Sequence, residues 1–284
     1  MRRRDYDYSS GGVVIKLPPG HMLPTYRVSC PEYDSFLPVL AKYVPAGSVI
    51  VDVGANCGDT LAAMAEGAPE ATFVCIEPEP TFAAYLDRNI AKVREVYPRL
   101  TVRTINAMVG RGGGKLVLKS GGGTASAVAD MEVGRETERL DDLLLEFESG
   151  RIRLVKSDVD GYDFDVIGSA ASILMRDAPM LFFECDFRSV EQFRAYNSLF
   201  DELRSYSYER FYVFDNFGAF IVSTGDMGVV RDLLVYLFRQ LKGGSRRTVH
   251  YFDVLAVSAV DVVLAERATA EFRSRGVDLP MSSE

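Results

Sequence analysis

Five polar residues sit at or beside the ends of apolar runs, and each could do chemistry where a strand gives way to a loop: Asp52, Glu77, Asn106, Asp158 and Glu184. Asp52 belongs to Val49-Ile-Val-Asp-Val53, a β-branched run suited to a strand buried on both faces. The run feeds Gly54-Ala55-Asn56-Cys57-Gly58, and an apolar helical pattern starts near Asp59-Thr60. Glycine turns tightly and brings backbone close to a ligand, and a loop entering a helix N-terminus offers free N–H groups. Glu77 ends the next apolar run, Thr72–Ile76, where a carboxylate can accept two ribose hydroxyls. Loop and carboxylate together describe a nucleoside-type site. Further along, Lys156, Asp158 and Glu184 bring charge, and His21 and His250 are the chain's two imidazoles.

These residues need strands to carry them. Apolar runs at Val49–Val53, Thr72–Ile76, Thr101–Ile105, Ile152–Val155 and Met180–Phe183 alternate with helical patterns. The alternation predicts an α/β fold with a doubly wound, Rossmann-like, mostly parallel sheet of seven strands and helices on both faces. An antiparallel C-terminal strand joins its edge, from the aromatic runs 208–214 and 219–223 around the turn Asp215-Asn216-Phe217-Gly218. Ligands in such sheets bind at the carboxyl ends of the strands, which collects the five polar residues on one rim. Residues 1–31 read as an N-terminal extension or lid, with 1–12 frayed, and 32–284 as one domain. Helices are expected over 137–145, 164–174, 190–205 and 261–275, the last long enough to pack against a second subunit. The glycine stretches 110–114 and 121–123 read as a flexible loop in preference to a phosphate cradle, since no Lys-bearing strand–loop–helix surrounds them.

Composition narrows the classes. A net charge of −8 argues against a general nucleic-acid binder, which needs clustered Lys and Arg. No window reaches the ~18 apolar residues of a membrane span, and Arg2-Arg-Arg4 precedes acidic residues instead of an apolar segment. The four cysteines form no C-x-x-C pair, so zinc and redox motifs are not suggested. A cytoplasmic protein with reduced thiols is the expectation.

The glycine spacing then chooses among nucleosides. A dinucleotide fingerprint carries three glycines as G-x-G-x-x-G, whereas here Asp52-Val-Gly54-x-x-x-Gly58 has two. This form resembles the first motif of class I S-adenosylmethionine (SAM) methyltransferases. Three stretches resemble the FkbM family of those enzymes: Val51-Asp-Val-Gly-Ala-Asn-Cys-Gly-Asp59, Leu140-Asp-Asp-Leu143, and Leu154-Val-Lys-Ser-Asp-Val-Asp-Gly-Tyr-Asp-Phe-Asp-Val-Ile-Gly-Ser-Ala170. Pro179-Met-Leu-Phe-Phe-Glu184 fits as well, and the departures are Asp160 and Asp163, where the family more often shows Glu. The resemblance implies a class I methyltransferase domain over 32–284 and SAM as cofactor. It implies that Asp52, Gly54, Ala55, Asn56, Gly58, Asp59 and Thr60 line the methionine end, that Glu77-Pro78 holds the ribose, and that Asn106-Ala107 lies beside adenine. It further implies O-methylation of a hydroxyl on a small molecule or glycan.

Methyl transfer to an alcohol needs an aligned acceptor and a group to take its proton. Asp158, Lys156 and His250 are the candidate catalytic residues, with His21 as a lid residue. Asp158 and Glu184 could alternatively hold Mg²⁺ through oxygen ligands, although a Lys156–carboxylate ion pair is the favoured reading. Asp160 and Asp163 read as helix-capping charges, and Phe211, Tyr212, Phe214, Phe217 and Phe220 as core in preference to a stacking surface. Two other readings of the same sheet stand beside this one, a nicotinamide-dependent oxidoreductase and a non-catalytic SAM-binding module.

Overall fold

The computed structural model describes residues 4–129, 132–147, 151–241 and 247–275. A hairpin of β1 (Tyr6–Ser10) and β2 (Val13–Leu17) leads through α1 (Leu23–Ser29) and α2 (Phe36–Ala41) to β3 (Val49–Val53). There follow α3 (Asp59–Gly67), β4 (Thr72–Ile76), α4 (Pro80–Val96) and β5 (Thr101–Ile105). A second, small sheet is made by β6 (Met108–Val109), β7 (Lys115–Gly121), β8 (Thr124–Ala129) and β9 (Arg135–Glu138). The chain returns to the main sheet through α5 (Leu140–Leu143), β10 (Ile152–Ser157), α6 (Asp163–Gly168), α7 (Ala171–Asp177) and β11 (Met180–Cys185). It ends with α8 (Val190–Ser205), β12 (Tyr208–Asp215), β13 (Phe220–Thr224), α9 (Met227–Gln240), β14 (Phe252–Ser258) and α10 (Val262–Arg275).

The main sheet runs β13-β12-β14-β11-β10-β3-β4-β5. Strands β11, β10, β3, β4 and β5 are parallel, and the order reverses between β3 and β10. This is the doubly wound α/β arrangement, with a ligand crevice expected at the reversal. It has eight strands where seven were expected, because β13 adds an outer antiparallel strand to β12. The antiparallel pair β12–β13 does form that edge, and β14 lies just inside it. Strand β14 pairs antiparallel with both β11 and β12, and an apolar run buried on both faces suits an interior strand.

Period-two alternation sorts side chains into two cores. Ile50, Phe73, Leu154, Phe182 and Leu255 face α2, α3, α4, α10 and β2. Val51, Val74, Val155, Phe183 and Val254 face α5 to α9 on the other side. Two residues on from Ile50, Leu154 and Phe182, and two before Leu255, stand Asp52, Lys156, Glu184 and Asp253. All four therefore occupy the first face at the rim. Helix α10 places Ala265, Ala268 and Phe272 in the chain's own core, and among the described residues no helix is long and apolar enough to cross a membrane.

Several local expectations change. Residues 6–10, read as frayed, form β1, and its partner β2 buries Val13, Ile15 and Leu17. The helix expected over 137–145 is β9 followed by one short turn, α5. That expected over 164–174 breaks into α6 and α7 at Ser169, whose buried hydroxyl accepts Leu140 N–H at 3.0 Å and donates to Val166 O at 2.6 Å. The glycines 121–123 form the tip of the β7–β8 hairpin, a role hidden by the small, weakly β-forming residues Ala125-Ser-Ala127.

Asn89 on α4, fully buried, welds the N-terminal hairpin to the glycine loop. It accepts Lys16 N–H at 2.8 Å and donates to Lys16 O and Cys57 O, each at 2.8 Å. Orphaning a buried polar group costs about 1–3 kcal/mol. Asn89→Ala is expected to lower unfolding free energy by about that amount in urea titration, and an unchanged midpoint would show that the hairpin is not coupled to the core.

Candidate active site

At the reversal in strand order, register sets Asp52 and Lys156 side by side on β3 and β10. Both are buried, and the ammonium lies 3.0 Å from Asp52 Oδ1 and 3.7 Å from Asp158 Oδ2. It also donates to Gly54 O at 3.0 Å. Burial by itself would lower the Lys156 pKa, but Asp52 and Asp158 more than offset it and hold the lysine above its ordinary range. Asp52 is pushed up by burial and drawn back by Lys156. The pair is therefore an ion pair that fastens the start of the glycine loop, with lysine cationic.

Beyond it the loop turns at Gly54, φ +75°, where a Cβ would lie 2.0 Å from Asp158 O. The close approach that requires glycine here is made by the chain's own β10 loop. Asn56 follows at φ +48°, a left-handed conformation that asparagine tolerates. Its N–H donates to Glu77 Oε2 at 2.8 Å, its Oδ1 accepts Cys57 N–H at 2.8 Å, and its Nδ2 donates to Gly123 O at 2.8 Å. A second bond, Met22 N–H to Gly122 O at 3.0 Å, fixes the hairpin tip over the loop. Gly58, φ +83°, caps α3, so Asp59 and Thr60 begin the helix.

Glu77 is 5% exposed at the end of β4, and its second oxygen accepts Glu79 N–H at 2.8 Å. Each carboxylate oxygen keeps a further lone pair. Burial pushes its pKa up to about 7 against those two backbone bonds. The cavity that Glu77 faces has a volume of about 510 Å³, inside the roughly 300–1,000 Å³ of small-ligand sites. Gly54, Asn56, Asp59, Thr60, Glu77 and Pro78 line one part of it. An apolar wall of Ala107, Met108, Val109, Leu116 and Leu118 stands nearby.

The other end of the cavity is charged. Lys156, Asp158, Asp160 and Glu184 reach it from the main sheet, Tyr33 and Asp34 from before α2, and Asn216, Phe217, His250 and Tyr251 from the C-terminal strands. Burial first, then Asp158, pushes Asp34 up to about 7, and the same two causes push Asp160 up to about 6. Burial holds Glu184 well above the usual carboxylate range, with Asp158, Asp163, Asp186 and Asp253 adding repulsion. His250 is exposed, and its backbone N–H donates to Asn216 Oδ1 at 2.8 Å. His21 accepts Leu23 N–H on Nδ1 at 3.3 Å, which leaves the proton on Nε2, 3.3 Å from Asn56 Oδ1.

Most of the sequence-predicted residues thus converge on one cavity, both imidazoles included. Asp52 and Gly58 support the loop from behind, and Ala55 is fully buried there. Asn106 is exposed and outside the lining; it donates to Glu77 O at 2.9 Å and accepts from Arg135. Asp163 does not cap its helix, since it is fully buried and accepts Ser157 Oγ–H at 2.6 Å. Phe211, Tyr212 and Phe214 are core, whereas Phe217 is 42% exposed on the cavity. Among the described residues no three His, Cys, Asp or Glu side chains are grouped to hold a metal ion. Tyr33, Asp34, Asn216 and Tyr251 were not foreseen, because only tertiary packing brings their segments here.

Residues 52–214 match the family described as Methyltransferase FkbM domain. A search of curated proteins finds no match. Solved structures similar to this one include a methyltransferase FkbM from Methylobacillus flagellatus, 16% identical over 58% of this chain and 39% of that chain, TM-score 0.40. Fibrillarin from Aeropyrum pernix, in complex with natively bound S-adenosyl-L-methionine, is 12% identical over 89% and 82% of the two chains, TM-score 0.43. A SAM-dependent O-methyltransferase from Thermotoga maritima is 13% identical over 80% and 64%, TM-score 0.42.

Two outcomes test the electrostatics. Lys156→Met leaves Asp52 buried without its partner and is expected to cost about 3–5 kcal/mol in denaturant unfolding, part of it recovered in the Asp52→Asn/Lys156→Met double variant. Carboxyls whose folded pKa is raised bind more protons in the folded than in the unfolded chain between about 4 and 7. Stability then falls as pH rises through the folded values of Asp34 and Glu77, about 7. The ligand-free protein is expected to melt at a higher temperature at pH 6 than at pH 8, and a profile rising toward pH 8 would contradict this.

Proposed function

The chain belongs to the FkbM methyltransferase family, and from that premise we propose that it is a SAM-dependent enzyme methylating a hydroxyl oxygen on a small, sugar-like or natural-product-like acceptor. The observation that carries the reading is Glu77: a buried strand-end carboxylate with free lone pairs, clamped to the glycine loop through Asn56 and facing a cavity of about 510 Å³. The residues present fit the cofactor. Glu77 would hold the ribose hydroxyls, Ala107, Met108 and Leu116 would offer adenine an apolar wall, and the loop around Gly54 and Asn56 would take the methionine end. Bound SAM supplies an electrophilic methyl group on a sulfonium.

The remaining work belongs to the chain. Lys156 stays protonated beside Asp52, so it is not the base; it holds Gly54 O and offsets negative charge at the rim. Asp158, half exposed and 3.7 Å from that ammonium, orients the acceptor. His250, which lines the cavity, would take the proton from the acceptor hydroxyl, a role worth about 10²–10⁴-fold for a positioned base. The segment His21–Cys30 and the tip Gly122-Gly123 lie over the cavity and limit water. Residues 6–30 accordingly supply both a core hairpin and a cover.

SAM and S-adenosylhomocysteine are expected to raise the melting temperature by several degrees at a hundredfold excess over Kd, about 2.7 kcal/mol of linkage. NAD and ATP are expected to do nothing, and stabilisation by NAD alone would refute the proposal. Glu77→Ala is expected to weaken S-adenosylhomocysteine binding by about 1–3 kcal/mol in calorimetry. Unchanged affinity would remove Glu77 from the site.

A further inference from the structure

The charged end of the cavity holds more negative groups than the chain itself balances. Asp34, Asp158, Asp160 and Glu184 line it, and Asp253 stands directly across from Glu184 on β14. The nearby cations are engaged already: Lys156 with Asp52 at 3.0 Å, Arg188 with Asp186 at 2.9 Å and Asp160 at 3.9 Å, and Arg27, which also acts on Asp34, with Tyr33 O. Glu184 is 8% exposed, yet its Oε2 has no hydrogen-bond partner among the described residues. Every charged group acting most strongly on it is another carboxylate. A buried carboxyl left unpaired is costly, and an incoming ligand that pairs it recovers that cost.

Position separates this demand from the cofactor's. Asp158 sets its backbone carbonyl against Gly54 and its carboxylate 3.7 Å from the Lys156 ammonium, so it already faces a cation beside the glycine loop. Glu184 lies one strand further from the loop, on β11, two residues beyond Phe182, the register partner of Lys156, and directly across from Asp253. Asp34 approaches from the loop before α2 at φ +53°, a strained conformation for aspartate. Tyr33, Tyr251 and the exposed ring of Phe217 complete the same end, and aromatic faces attract cations. A neutral polyol would leave Glu184 and Asp34 without a counter-charge, and an anionic acceptor would be repelled.

We propose that this end of the cavity binds the acceptor through a protonated amine, with Glu184 and Asp34 as its counter-ions, so that the substrate is a hydroxylated amine of the amino-sugar class. The inference rests on the methyltransferase reading, for the amine anchors the molecule and a hydroxyl receives the methyl. Anionic acceptors and neutral polyols are discriminated against at this step.

The test is calorimetric titration into the full chain saturated with S-adenosylhomocysteine, using glucosamine and kanamycin as probes against their N-acetylated, uncharged forms. The free amines are expected to bind at least tenfold more tightly than the acetylated forms. Glu184→Gln and, separately, Asp34→Asn are expected to erase at least tenfold of that preference while S-adenosylhomocysteine affinity stays within about twofold. Equal affinity for both forms, no binding of either amine, or a preference unchanged in both variants would overturn the proposal. So would stabilisation by Mg²⁺ alone that Glu184→Gln abolishes, because the carboxylates would then serve a metal. Failure of S-adenosylhomocysteine to bind the wild type is a separate result and overturns the methyltransferase reading.

Discussion

A buried lysine paired with a buried aspartate across two parallel strands is the constraint from which the site is built. Lys156 and Asp52 are register neighbours at the point where strand order reverses, and their contact measures 3.0 Å. Without the carboxylate the lysine could not remain charged in that position, and without the lysine the aspartate would be an unpaired buried charge. The ammonium's further bond to Gly54 O ties the glycine loop to β10. Asn56 then transmits that placement to Glu77 on one side and to the β7–β8 hairpin on the other. The glycine loop, Glu77 and the β7–β8 hairpin are thus tied together by one polar chain of contacts.

The same rim carries a charge imbalance that folding alone does not relieve. Alternation along β3, β10, β11 and β14 turns Asp52, Lys156, Glu184 and Asp253 to one face. Only the first two neutralise one another. The remainder are held with raised pKa values, and such groups gather where a fold gives up stability for function. Hydrophobic cores on both sheet faces supply the stability against which this cost is set.

Much of this arrangement was legible in the chain. The uninterrupted apolar run of β3, the glycine pair and Glu77 at the end of β4 are local signals, and their spacing alone separates a two-glycine loop from a dinucleotide loop. The rule that ligands sit at strand ends collected Asp158 and Glu184 correctly on the cavity. The reason for Gly54 was not legible, since its Cβ would strike the carbonyl of Asp158, a residue more than one hundred positions away. Asp34 and Tyr251 enter from segments without motif character, and the placement of the β7–β8 tip over the glycine loop rests on its long-range bonds to Met22 and Asn56. Asn106 shows the converse: its position follows the pattern, but its side chain is held by Glu77 O and Arg135 outside the cavity lining.

The central claim is that the cavity at the strand-order reversal holds the methyl donor with its nucleoside on Glu77 and leaves the carboxylate-rich end for the acceptor. A crystal structure of the complex with S-adenosylhomocysteine tests it most directly. The account predicts ribose hydroxyls within hydrogen-bond distance of Glu77, the adenine against Ala107 and Met108, and free volume beside Glu184 and His250. A ligand bound elsewhere, or one whose methionine end fills the space beside Glu184, would contradict it.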